Sequence, residues 1–408
     1  MRTSTVIYYC VVGGAILNAV YTFYYQRDLE LFANDEGLGW YTKLNFLGDF
    51  LISIAAILSH YRYKHYFPGF VRITYWLLLF WVVMAHWGNY ENIIKNPATF
   101  YGGKGIGTFL NFGILFAVAG FRHIAKIQKL FLWIAIVFTV LGVANVVAAG
   151  IGFNRNDMLY VVREYANYLV YVFPFFFLQP QEKKLYSFLY YIFYAAVLFV
   201  ILATASRSNI LIFVLILLAK LYYQFRGSIK DSIHLLLGLA ILVVFGAHYV
   251  LQSSFYDSFN TIIQIIEERS KEDTRSQQFE EFFRQYDIRN WLLGVGPTGT
   301  YYSSNVGGPY GSFDNQFILL GWWAGLPALL FYIYLLSRSL FRKYSKQRSW
   351  PDKGQVIGAK WTIFLWILAA SGLAIWAAIS CNLYYYFISI SIGIATFRNK
   401  RRVVEAEQ

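Results

Sequence analysis

Apolar residues recur along the chain in runs of about 17 to 25, the length that crosses the hydrocarbon core of a bilayer as α-helix. Short polar stretches separate the runs. Twelve spans are predicted, at roughly 6–25, 43–59, 70–88, 105–121, 130–150, 159–178, 186–205, 209–224, 233–251, 316–336, 357–378 and 381–397. One interval breaks the rhythm, because residues 252–312 are polar over a length that no other connection approaches. The expected fold is an all-α polytopic membrane protein of one domain over 1–408, with a large helical external loop at 252–312 between spans nine and ten.

Two helices are predicted inside that loop. Phe259, Ile262, Ile263 and Ile266 follow helical spacing and leave Asn260, Gln264 and Glu267 opposite, the pattern of an amphipathic helix lying on a membrane or on a helix bundle. A second helix starts at Thr274, where Thr274 and Gln277 match a capping box, and Phe279, Phe282, Phe283 and Tyr286 repeat along one face. It is expected to stop near Trp291, since Gly294-Val295-Gly296-Pro297 is turn chemistry. The glycines between Asn305 and Gly311 read as a lid.

Composition strengthens the membrane reading: 58% of residues are hydrophobic and only 14% charged, too few to cover a water-soluble surface. The net charge of +13 raises nucleic acid as a ligand. Its distribution argues otherwise. With the N-terminus in the cytoplasm, the inner segments hold 23 of the 35 Lys and Arg but only 5 of the 22 acids. Every short inner connection then satisfies the positive-inside rule, both termini lie inside, and the polar interval faces out. Cys10 and Cys381 lie in or beside apolar runs, so neither a disulfide framework nor a thiolate metal site is indicated. Met1–Thr5 and the run behind it resemble a signal sequence; without a clean cleavage site before Gln26-Arg27-Asp28 they read as a retained first span. The aromatic residues crowding span ends read mainly as an interfacial belt.

Three residues stand out as candidate chemistry. Arg275 falls in the first turn of a helix, where free amides already present positive potential, so it makes sense with an anion bound there. The alternative is a solvated arginine paired with Glu272 or Asp273. Arg207 sits between two apolar spans with almost no loop, a costly place for a guanidinium that lacks a partner, although snorkelling to headgroups remains open. Asp314 stands at the mouth of span ten, either as a helix N-cap or as a base for a hydroxyl. Arg163 and Glu164, near the outer end of span six, read as a local ion pair. Asp49 is the one carboxylate well inside a span, and a helix-to-helix hydrogen bond accounts for it.

The order of short motifs in the C-terminal half resembles the bacterial O-antigen ligase and polymerase superfamily. The matching elements are Thr204-Ala205-Ser206-Arg207-Ser208, Arg275 ahead of an aromatic-rich helix, Trp291 to Pro297, Asp314-Asn315-Gln316-Phe317 and Gly325-Leu326. That resemblance implies a membrane-embedded glycosyltransferase of the GT-C type. It would act on polyprenyl-diphosphate-linked glycans at the outer face of the inner membrane, without metal, nucleotide sugar or other cofactor. Carried over by position, Arg207 and Arg275 would hold the lipid diphosphate. Asp314 would stand where the ligases place a catalytic histidine. Arg163, Glu164, Asn315, Arg284 and His248 complete the set expected to contact substrate, with His248 an alternative base. The implied partners are the bilayer, a chain-length regulator and a flippase, with no nucleic acid.

None of the six histidines lies in the external loop, a departure that points to a polymerase rather than a ligase. A transporter or flippase would instead show mid-membrane charges on interrupted helices in two matching halves. The chain shows no such symmetry.

Overall fold

The structure is a computed structural model that describes residues 3–27, 41–87, 90–95, 100, 105–148, 162–179, 184–204, 207–225, 264, 274–304, 307–311, 313, 315–343, 351–371 and 383–397. In chain order the elements begin with α1 (Thr3–Arg27), α2 (Tyr41–Tyr63), α3 (Gly69–His86), α4 (Tyr90–Lys95), α5 (Ile106–Asn111) and α6 (Phe121–Ala148). Next come α7 (Arg163–Phe177), α8 (Lys184–Ala203), α9 (Arg207–Phe225), α10 (Thr274–Gln285) and α11 (Ile288–Leu293). Strands β1 (Tyr301–Ser303) and β2 (Gly308–Tyr310) follow, then α12 (Gln316–Ala324), α13 (Leu326–Phe341), α14 (Lys353–Ala370) and α15 (Leu383–Thr396). Among the described residues, four helical stretches are long and apolar enough to cross a membrane: Thr3–Tyr24, Lys43–Tyr66, Gly69–His86 and His123–Val147. Shorter apolar helices include Ile106–Ala119, Phe188–Ala203, Ser208–Tyr223, Leu326–Phe341 and Leu383–Thr396. This is an all-α membrane protein; predicted span nine, 233–251, lies outside the described residues, as does the amphipathic helix expected around Phe259 to Ile266, apart from the helical Gln264.

Two predicted spans differ in form. The stretch at 105–121 is α5 followed by a 3-10 helix, Phe112–Ala119. Leu115 lies so close to α15 that a Cβ on Gly393 would fall 2.3 Å from its carbonyl oxygen, a contact that suits a narrow helix facing a glycine. The stretch at 316–336 is not continuous either, because α12 ends at Ala324 and α13 starts after Gly325, which has φ +86°.

The chain divides into two compact units, residues 1–134 with 273–408, and residues 135–272. In the first, α1 and α2 pack closely across Gly48, where a Cβ would fall 2.4 Å from the Asn18 amide nitrogen. Small residues allow that approach, and a polar clasp secures it. Asp49 of α2 is fully buried and accepts a hydrogen bond from the Tyr386 hydroxyl of α15, while Asn18 Nδ2 of α1 donates to the same hydroxyl at 3.3 Å.

Contacts sort the helix ends of this unit onto two rims. On one rim Tyr8 stacks on His123, Tyr66 meets Phe397, Phe70 lies under the Arg338 guanidinium, and Gln355 donates to Gln128. On the other, His86 meets Trp323 and Asn315 Nδ2 donates to the Ser371 carbonyl at 2.8 Å. The first rim gathers basic residues, and residues 274–313 join the second.

The second unit contains α7, α8 and α9, with the later part of α6. Phe173, Phe177, Tyr194 and Phe213 stack at 5.1 to 6.1 Å, and the Tyr194 hydroxyl donates to the Phe213 carbonyl at 2.9 Å. That bond clasps α8 to α9. Lys220 of α9 is buried and donates to the Gln179 carbonyl just past the end of α7 at 3.1 Å, where a cation suits the helix dipole.

Candidate functional site at the loop rim

The loop is built around Phe282 of α10, which is fully buried. Its ring meets Phe283, Tyr286, Trp291, Tyr301, Phe313 and Trp322 at centroid distances of 4.8 to 5.8 Å. Aromatic spacing in α10 thus forms a small core of its own instead of a membrane-facing stripe. Burial pushes the Tyr286 hydroxyl above the ordinary phenol range, partly offset by its interaction with the Trp322 indole.

The opposite side of α10 is polar and equally occupied. Gln285 brackets Tyr302, accepting from its backbone N–H at 2.7 Å and donating to its carbonyl at 2.8 Å. One turn earlier Glu281 accepts from the Ser304 N–H at 3.2 Å, and one turn before that Gln277 donates to the Ser304 hydroxyl at 2.8 Å. This stripe of i, i+4, i+8 residues satisfies the open edge of β1, which an unpaired strand needs.

Three expectations for the loop are corrected here. The second helix is broken at Tyr286 and Asp287, where Asp287 caps α11 by accepting from the Asn290 N–H at 3.0 Å. The glycine stretch is not simply a lid, since Gly308 to Tyr310 pair with Tyr301 to Ser303 as an antiparallel hairpin. Thr274 is the first residue of α10 rather than a cap before it, and Gln277 directs its amide nitrogen to Ser304 and Glu281.

Ahead of the hairpin, the loop docks onto the break between α12 and α13. The N–H groups of Val295 and Gly296 donate to the carbonyls of Trp322 and Trp323 at 2.9 and 3.0 Å. Those carbonyls end a helix that the break has cut short, and in a membrane-associated segment such groups need a partner. Gly294 and Gly325 both have positive φ, and a Cβ on either would strike the backbone of the other's segment within 2.8 Å. Trp291-to-Pro297 and Gly325-Leu326, two of the motifs singled out in the sequence, are therefore two sides of one contact.

The entrance of α12 is capped by Asn315. Its Oδ1 accepts from the N–H groups of Phe317 and Ile318 at 3.0 and 3.1 Å, and its Nδ2 is the donor to Ser371. The cap that Asp314 was one reading away from supplying is thus already supplied; Asp314 itself lies outside the described residues. Gln316, part of the Asp314-to-Phe317 motif but given no role of its own in the sequence reading, is fully buried and faces the Tyr332 hydroxyl with its amide outside hydrogen-bonding geometry. Tyr332 in turn accepts from the Trp366 indole at 2.5 Å. The only available signal was a polar residue opening an apolar helix.

The remaining candidates fall as follows. Arg284 is exposed and pairs with Glu280 one turn away, a solvated pair of small consequence. Arg163 is exposed and Glu164 buried, so the two leave α7 on different sides rather than facing each other. His248 lies outside the described residues. Arg207 is the first residue of α9 and Arg275 the second of α10, and neither first turn contains an acidic residue. The structure gives the backbone of both; their guanidinium groups lie outside its described part. Arg207 belongs to the second unit and Arg275 to the first.

Among curated proteins, none matches the chain. Residues 192–333 match a family model described as O-Antigen ligase, a stretch that runs from α8 into α13 and holds Arg207, Arg275, Asp314, Gly294 and Gly325. The match spans about a third of the chain, and through that stretch the chain is similar to the O-antigen ligase family.

Proposed function

We propose that this protein is a metal-independent membrane glycosyltransferase that joins polyprenyl-diphosphate-linked repeat units into O-antigen or a related surface polysaccharide. The observation that carries this reading is the shared placement of Arg207 and Arg275. Each opens a helix at least 12 residues long with no acid in its first turn, where a bound anion would offset the combined potential of amides and guanidinium. A diphosphate on a lipid carrier is such an anion. In the proposed reaction an acceptor sugar hydroxyl attacks the anomeric carbon of the lipid-linked glycan, the bond from that carbon to the diphosphate oxygen breaks, and polyprenyl diphosphate leaves. Arg207 and Arg275 stabilise the charge growing on the leaving group, most effectively where water is excluded. Asp314 takes the hydroxyl proton, and the anomeric configuration inverts. Asn315 having taken the cap supports this role, because it removes the structural task that competed for Asp314.

The expected setting is the bacterial inner membrane, with twelve spans of GT-C type, both termini cytoplasmic, the loop rim outside, and a flippase and chain-length regulator as neighbours. A second reading is favoured by the family description itself, a ligase that moves the glycan from its carrier onto a lipid A core. The absence of histidine from residues 252–312 weighs for the polymerase. Incubating purified protein with lipid-linked repeat units and resolving products by size tests both. Longer glycan still on the carrier is the polymerase result. Transfer only to added lipid A core identifies a ligase, and no transfer to either acceptor refutes the proposal.

A further inference from the structure

We infer that the basic rim, opposite the candidate site, binds the phosphate of an anionic phospholipid headgroup. The connection from Tyr61 to Arg72 carries Arg62, Lys64, His65 and Arg72 and contains no acid. It joins two stretches that are both long and apolar enough to cross a membrane, so it lies at a membrane–water boundary whichever way the chain is oriented. The cations are crowded rather than spread. Arg72 and Lys64 each lie close enough to both His60 and His65 for their charges to interact, and Arg338 of α13 adds a guanidinium 5.5 Å over the Phe70 ring.

Arg72 also folds back over the start of its own helix, with Nη2 3.9 Å from where a Cβ of Gly69 would stand. Pro68, the residue before that helix, offers no side-chain cap. The Nε atoms of Arg62 and Arg72 are withdrawn from water with no hydrogen-bond partner among the described residues. A topology signal needs basic residues in a short connection, but it does not need guanidinium nitrogens buried without acceptors. A phosphate supplies the missing acceptors and offsets the crowded charge, and guanidinium groups suit it by geometry. At a bilayer surface the abundant source is the headgroup of an anionic lipid. Roughly 20 Å of helix separates Arg338 from Gly325, so this site is distinct from the loop rim.

The test is native mass spectrometry of the delipidated full-length protein titrated with phosphatidylglycerol, phosphatidylcholine or inorganic phosphate, with thermal unfolding in parallel. The wild type is expected to retain phosphatidylglycerol well above phosphatidylcholine and to gain thermal stability from it. Arg62→Gln and Arg72→Gln should each weaken retention about fivefold, the worth of one basic residue at a membrane surface. Lys126→Gln with Lys129→Gln removes twice the charge of either variant from exposed positions of α6 and should leave retention unchanged. Equal loss in that control reduces the effect to net charge and overturns the site. Inorganic phosphate stabilising as well as the lipid overturns the headgroup assignment. Should the Arg62 and Arg72 variants fail to fold, Arg338→Gln on another helix must still lower retention, and wild-type retention there refutes the proposal.

Discussion

Gly294 and Gly325 meet backbone to backbone, each with positive φ and each leaving no room for a side chain on the other. The contact places the loop at the break between α12 and α13 and completes the hydrogen bonding of that break through Val295 and Gly296. Replacing either glycine by alanine adds a backbone strain of about 1–3 kcal/mol before any clash is counted. Gly307 also has positive φ, yet nothing lies within 4 Å of a Cβ built there. Thermal unfolding of Gly294→Ala, Gly325→Ala and Gly307→Ala should therefore rank the first two well below the third; equal losses would show that the docking contact is not tight.

The clamp reading predicts that Arg207→Ala and Arg275→Ala each abolish chain extension while the protein still unfolds cooperatively. Lysine should not rescue them. It keeps the charge and loses the two-pronged guanidinium, so losses of roughly 10- to 100-fold are expected from hydrogen bonds to charged groups worth about 1.5–3 kcal/mol. Wild-type polymer from either alanine variant would refute the clamp.

Asp314 and Asn315 are adjacent and should separate cleanly. Asn315→Ala removes the cap of α12 and should cost about 1 kcal/mol of stability, with a further loss from the broken link to Ser371. Asp314→Asn should leave the unfolding temperature unchanged and lower transfer by about 10²- to 10⁴-fold, the usual worth of a general base. Full activity in Asp314→Asn assigns the base to another residue.

Asp49 is held by Tyr386 in the interior of the first unit. Tyr386→Phe leaves a buried carboxyl short of a donor and should destabilise the protein by about 1–3 kcal/mol. Specific activity of the folded fraction should not change. A change would place Asp49 in the reaction and revive the transport reading.

The membrane class and the helix positions were legible in the sequence because each depends on local pattern. An apolar run of sufficient length has few alternatives to helix in a bilayer. That Arg207 and Arg275 stand at helix starts was legible for a related reason, the helical pattern that runs on behind each of them. The aromatic repeat of α10 was legible as a helix face, and its partner was not.

What lay beyond the sequence was contact between distant segments. Nothing in Gln277, Glu281 and Gln285 announces a strand edge, and nothing near Asn315 shows that its amide reaches Ser371 rather than substrate. The run at 316–336 has the hydropathy of one span, because hydropathy is blind to φ; only the packed chain shows that Gly325 turns out of the helix and that Gly294 fills the turn. The sequence by itself determined which segments are helical and which charges are out of place, since both follow from each residue's own solvation. The tertiary structure decided which segments touch, because hydrogen bonds and close backbone approach are properties of pairs that no single stretch of chain contains.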